Sequence, residues 1–203
     1  MARLYGLTGA DQIARSHVLI VGIGGVGSWI AEALARSGVG EMTLVDMDHI
    51  AESNINSSAS SLMPITAVLD ACDQVKAKVA MADWAIRQKV FMVTLGAAGG
   101  KKEAHRVEQA DLSQVTHDPL LSQLRYRLRK EKGAPKEGKK IGVLCVFSRE
   151  NVAPPDASCL IEGDGTLNCH GYGSAVTVTA SFGLVAASLV VNYLATGLAK
   201  PKI

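Results

Sequence analysis

Gly22-x-Gly24-x-x-Gly27 stands between an apolar run, HVLIVG (17–22), and a segment of helical pattern, GGVGSWIAEALARSG. Glycines at this spacing have separate uses. The first permits a tight turn, the second lets backbone approach phosphate oxygens, and the third lets the helix pack on the strand. The helix opening there points unpaired N–H groups at any bound anion. Asp46 closes the next apolar run, EMTLVD (41–46), where a carboxylate can accept both hydroxyls of a ribose. These residues predict a nucleotide site. A glycine pattern alone is weak; the strand–turn–helix context carries it.

Which nucleotide binds depends on LVDMDHIAESNINSS (44–58). A nicotinamide-dependent dehydrogenase is one reading, but the doubled Gly24-Gly25 and the SNIN turn count against it. GxGGxGS followed by LVDMDxxxxSNIN resembles the adenylating enzymes of the ubiquitin-activating type, the ThiF/MoeB family. In these the acidic strand end is followed by a turn that grips ATP phosphates. ARLYG near the N-terminus, DACD, LGAAGG, DLSQVTHDPL, GVLCVFSRE and SAVTVTASFGLVA extend the resemblance, in order, over nearly the whole chain. Together they are similar to the tRNA threonylcarbamoyladenosine dehydratases, the TcdA branch of that family.

The resemblance implies an ATP-dependent cyclisation. A threonylcarbamoyl carboxylate on tRNA would be activated as an acyl-adenylate, and the ring would close with loss of AMP. It places Gly22, Gly24, Gly25 and Gly27 around the nucleotide and Asp46 on its ribose. Asp48 joins this set, with a structural role as its alternative. Asn54 would touch phosphates, and Asp73, last of DACD, would hold Mg2+, with Asp70 a weaker candidate. Arg3 would reach the ATP site of a second subunit, which makes a homodimer part of the expectation. The alternatives are an adenylyltransferase for a ubiquitin-like sulfur carrier and a non-catalytic nucleotide- or tRNA-binding paralogue.

These residues need elements to hold them. HVLIVG, EMTLVD, AVLDA (67–71) and VFMVTLG (90–96) read as strands, alternating with helices in GGVGSWIAEALARSG (24–38), capped by Gly38, and over 76–88. This predicts an α/β, doubly wound, mostly parallel sheet of the Rossmann-like ThiF/MoeB type. HDPLLSQLRYRLRKE predicts a helix with Asp118 as N-cap, Pro119 in first position and Leu120, Leu121, Leu124 and Leu128 as its buried stripe. IGVLCVFS (141–148) is a further strand. Without an internal repeat or a clean linker, residues 1–203 read as one domain: an ATP-binding half (1–100) and a substrate and dimer half (101–203).

With 203 residues, 48% hydrophobic content and a net charge of +2, the chain fits an ordinary globular protein, so any nucleic-acid contact must be local. Such a patch runs from Arg125 to Lys140, with eight basic and two acidic residues. Arg125, Arg127, Arg129, Lys139 and Lys140 are the candidates for tRNA phosphates, with a solvated helix face as the bland alternative. The four cysteines form no C-x-x-C pair, against a zinc site, and with no signal peptide they suit the cytoplasm. Cys169 beside His170 is the one candidate reactive thiol, which would imply a cysteine-desulfurase or sulfur-acceptor partner. From Gly171 to Ala199 no residue is charged. A buried C-terminal helix is favoured there over membrane insertion.

Two departures from the resemblance stand out. Ser57-Ser58 occupies the place of Arg-Gln, and the stretch before DACD lacks several dozen residues, including a phosphate-binding lysine. An omitted mobile lid over ATP is the preferred explanation, and a shortened, inactive paralogue the other.

Overall fold

In the computed structural model of the chain, residues 1–46, 64–136, 138–154 and 172–196 are described. Six strands form one sheet: β1 (His17–Val21), β2 (Glu41–Val45), β3 (Ala67–Asp70), β4 (Phe91–Leu95), β5 (Val107–Asp111) and β6 (Leu144–Ser148). Their spatial order is β2-β1-β3-β4-β6-β5. β5 runs antiparallel to β6, and the other neighbours pair in parallel. The helices are α1 (Ala2–Ala14, kinked at Gly6), α2 (Gly27–Arg36), α3 (Val75–Gln88), α4 (Pro119–Lys132) and α5 (Val176–Ala195).

Successive strand residues point to opposite faces, and both faces are covered. Ile20, Leu69, Val93 and Val146 meet Ile13 of α1, Ile30 and Leu34 of α2, and Phe182 and Val190 of α5. Val68, Met92, Cys145 and Phe147 meet Val79 and Ala82 of α3 and Leu121, Leu124 and Leu128 of α4. Burial on two sides is why the inner strands read as unbroken apolar runs. The fold is the expected doubly wound, mostly parallel sheet with a buried apolar C-terminal helix.

Local signals set the element starts. Asp118 Oδ1 accepts the Leu121 amide at 2.9 Å, capping α4 with Pro119 behind it. Leu121, Leu124 and Leu128 form the buried stripe, while Leu120 is only half-buried. Two elements extend the sequence expectation, the N-terminal helix α1 and the edge strand β5.

Candidate nucleotide site

Strand β1 has β2 on one side and β3 on the other, so successive connections diverge from it. In open α/β sheets such a switch point leaves a crevice beyond the strand C-termini, where ligands bind. The glycine turn, Asp46 and Asp73 all lie at these exits.

Gly22 has φ +87°, and a Cβ there would sit 2.7 Å from the Cys72 amide nitrogen. The turn can therefore lie directly against the β3 exit. A Cβ on Gly27 would come within 1.8 Å of the Gly22 carbonyl oxygen, so only glycine lets α2 close down on the turn. Gly24 and Gly25 are exposed, and nothing lies within 4 Å of a Cβ built on Gly24. That open face is room for a ligand oxygen to approach backbone. Asp46 Oδ2 accepts the Ile23 amide at 2.9 Å, which ties the β2 exit to the turn. Asp48, Asn54 and Cys169 lie outside the described residues.

Asp73 is exposed at the β3 exit, just before α3. Among the described residues no group of three or more His, Cys, Asp or Glu could hold an ion by itself. A lone carboxylate still fits Mg2+, which characteristically takes one or two carboxylates and completes its shell with water and substrate phosphates. Asp70 has a different environment from Asp73. Its side chain is fully buried, with Oδ2 at 3.1 Å from Lys78 Nζ and at 2.6 Å from Thr94 Oγ1, a donor to it. Its Oδ1 accepts the Cys72 amide at 3.2 Å and the Cys72 thiol at 3.0 Å. Such a carboxylate is a structural anchor, which leaves Asp73 as the exposed carboxylate at this exit.

Lys78 is the residue that sequence reasoning missed. Its Nζ, fully buried, also donates to Leu95 O at 2.9 Å, Thr94 Oγ1 at 3.1 Å and Asp70 O at 3.4 Å. The signal was present: Lys78 shares the inward stripe of α3 with Val79, Ala82 and Ala85. A lysine in that stripe needs a buried partner, and Asp70 ends a wholly buried strand.

Farther along the same edge, Asp118 Oδ2 accepts the Ala97 amide at 2.9 Å and so holds the loop after β4. Burial raises the Asp118 pKa above the ordinary aspartate value. Burial likewise lowers that of Lys101, whose Nζ donates to Ser148 O at 2.7 Å. Cys72 is half-buried, and burial followed by the Asp70 carboxylate pushes its pKa to about 12. Cys145 is buried and raised for the same first reason. Neither thiol is built as a nucleophile.

The basic stretch proves partly committed to the fold. Arg125 Nη1 donates to Leu112 O at 3.1 Å and Val115 O at 2.7 Å. Arg127 pairs with Glu131 at 2.7 Å, and Arg129 donates to Pro135 O at 3.1 Å. Lys130, Lys136, Lys139 and Lys140 are exposed.

Arg3 is exposed on α1, two residues before Tyr5, whose hydroxyl donates to Asn192 Oδ1 at 2.6 Å. Thr179 faces Gly25 near the other end of α5. At 1.5 Å per residue these two points are about 20 Å apart along the helix. Arg3 is thus remote from its own glycine turn. Beside it, Leu4 is 75% exposed and Leu184 49% exposed, bordering a shallow groove with Ala33, Ala187 and Val191. Most of α5 is covered within the chain, however, so its apolar surface does not itself demand a partner.

Comparison with known proteins agrees with this geometry. Residues 1–60 match the ThiF family. The tRNA threonylcarbamoyladenosine dehydratase of Escherichia coli K12 is 34% identical over 92% of this chain and 89% of its own length. That of Haemophilus influenzae is 32% identical over 96% and 91%. The E. coli enzyme TcdA, solved in complex with ATP, superposes with a TM-score of 0.78 at 33% identity, covering 95% of this chain and 91% of that one. The E. coli alignment spans 238 positions against the 203 residues of this chain, so the relative carries at least 35 residues without a counterpart here. With this identity over nine-tenths of both sequences, the chain belongs to the family of tRNA threonylcarbamoyladenosine dehydratases.

Proposed function

We propose that this protein is an ATP-dependent cyclase that dehydrates threonylcarbamoyladenosine in tRNA through an acyl-adenylate. The observation that carries the proposal is the crevice formed by Gly22, Gly24, Gly27, Asp46 and Asp73, set in a fold that superposes on an ATP-bound relative. A carboxylate is a poor electrophile. Its oxygen attacks the α-phosphorus of ATP, the bond to the β-phosphate breaks and pyrophosphate leaves. Ring closure on the activated acyl carbon then expels AMP, for a net loss of water.

The chain's part is positioning and charge stabilisation. Asp46 holds the ribose end, the turn amides from Gly24 to Gly27 take phosphate oxygens, and Asp73 faces the phosphates. Asp73 would hold a bound Mg2+, which would supply positive charge to offset that of the phosphates. Arg3, remote from its own turn, serves the site of a second copy docked on the α1–α5 groove, where a guanidinium stabilises charge developing on phosphorus. The exposed lysines at the end of α4 and beyond it contact tRNA phosphates.

The test is incubation of threonylcarbamoylated tRNA with MgATP, followed by digestion and mass spectrometry. The expected product is a nucleoside lighter by one water, formed with equimolar AMP. An unchanged nucleoside with intact ATP binding would instead support a nucleotide-binding paralogue, the reading that the missing 35 or more residues favour.

A further inference from the structure

We propose that Lys78, Asp70 and Thr94 form a buried positioning device that sets where Asp73 and the glycine turn stand relative to the triphosphate. The inference rests on the nucleotide site proposed above and adds residues that do not touch ligand.

Three observations carry it. The first is register. Asp70 and Thr94 are paired partners on adjacent parallel strands, so their side chains stand together on the face that α3 covers. Lys78 enters from α3 and bonds to both side chains and to the carbonyl oxygens of Asp70 and Leu95. It therefore fastens the exits of β3 and β4 to one another and to the helix that follows Asp73. The second is the other oxygen of Asp70. It holds the amide and thiol of Cys72, the residue immediately before Asp73. The third is the contact of the same peptide with the glycine turn, where the Cys72 amide nitrogen lies 2.7 Å from the Cβ position of Gly22. The β3 exit is clamped between the glycine turn and Asp70, with little freedom to move alone.

Stability does not by itself account for this arrangement. Replacing a buried ion pair by well-packed apolar residues is often neutral or stabilising, whereas removing one partner alone is damaging. A device for placement differs from a staple in what its neutral replacement does. The staple can be replaced without loss of function, but the placement device cannot.

The test compares wild type with the charge-free double variant Asp70→Leu/Lys78→Met, with Thr94→Val, and with Asp73→Asn. Each is followed by thermal unfolding and by calorimetry with MgATP and with adenosine, which probes only the Asp46 end. The double variant is expected to melt near wild type, to keep its adenosine affinity, and to lose affinity for MgATP by roughly tenfold to a hundredfold, the scale of one lost charge-assisted hydrogen bond. Thr94→Val should show the same pattern more weakly, and it decides the matter if the double variant does not fold. Wild-type MgATP affinity in a folded double variant or, failing that, in Thr94→Val overturns the proposal, even if Asp73→Asn weakens binding and so upholds the site. Equal loss of adenosine and MgATP affinity also overturns it, because the disturbance is then general. If Asp73→Asn binds MgATP normally, the network does not act through Asp73, and the proposal fails together with that residue's assigned role.

Discussion

Two alanine substitutions in one turn should separate packing from ligand approach. At Gly27 a methyl group would lie 1.8 Å from the Gly22 carbonyl oxygen and 2.8 Å from its carbon. Ordinary contact needs nearly twice the shorter distance, so turn and helix must move apart. Overpacking of this kind costs about 1–3 kcal/mol, which lowers Tm by roughly 2–12 °C for a chain of this size. At Gly24 the methyl meets nothing within 4 Å, and the backbone is not in the left-handed region. Gly24→Ala should therefore leave Tm unchanged or slightly raised, since alanine restricts the unfolded chain by about 0.4–1 kcal/mol.

Nucleotide binding should respond the other way. A methyl at Gly24 occupies the space through which a phosphate oxygen reaches backbone. Losing one charge-assisted hydrogen bond costs about 1.5–3 kcal/mol, or roughly tenfold to a hundredfold in Kd. Calorimetry with ATP beside a melting curve reads both quantities. The reasoning fails if Gly24→Ala binds ATP as wild type does, for then phosphate does not approach there. It fails equally if Gly27→Ala melts like wild type, for then the turn is looser than its contacts require.

Mixing inactive Arg3→Ala with inactive Asp73→Asn protein should restore activity, because one site of a heterodimer holds both native residues; heterodimers that form and stay inactive exclude action across the interface. Cys72 should resist iodoacetamide in the native protein at pH 8, as its pKa near 12 requires; rapid alkylation would contradict its burial beside Asp70. Burial works against ionisation of Asp111, but the Ser113 hydroxyl and the amides of Ser113, Ile141 and Gly142 outweigh it and hold its pKa below the ordinary 3.8. Its contribution to stability is thus present above its unfolded value and lost as pH falls through the lower folded one, so Asp111→Asn should flatten the acid limb of the stability profile below pH 3.8. Affinity for tRNA should fall with salt by a log–log slope of roughly 0.7–0.9 per phosphate contact. Reversing Lys130, Lys136 and Lys139 should flatten it, whereas Arg125 is a poor probe because its substitution uncaps Leu112 and Val115.

Local chemistry explains what could be read from residues alone. The turn at 22–27, the carboxylate closing β2, and the Asp118–Pro119 helix start each depend on neighbours a few positions away. α1 was hidden because glycines at 6 and 9 interrupt its pattern, and its main partner, α5, lies far along the chain. β5, VEQAD, carries polar residues because it is an edge strand with Glu108 and Gln109 exposed. The Lys78 network was missed because lysine is ordinarily solvated. Its partner Thr94 becomes adjacent to Asp70 only once β3 and β4 are paired, and that pairing is a tertiary fact.

The uncharged stretch after Gly171 shows how such a fact resolves a local ambiguity. By length and composition α5 could cross a bilayer, yet 67% of its 18-residue apolar window is buried inside the chain. α2 lies so close that a Cβ on Gly183 would come within 2.8 Å of Trp29 Cβ and of the Val26 carbonyl oxygen. Phe182, Ala186 and Val190 fill the space over the sheet. Apart from Val176 in the first turn, the face left open is a narrow stripe of Thr177, Leu184, Ser188 and Asn192, and Asn192 accepts the Tyr5 hydroxyl. A helix surrounded by lipid would expose apolar residues around most of its circumference, whereas this stripe is mainly polar. The absence of charge thus follows from contact with the sheet, α2 and α1, each of which would leave a buried charge without solvent. Those same contacts place Thr179 against Gly25, so the segment that resembles a membrane span is what backs the glycine turn.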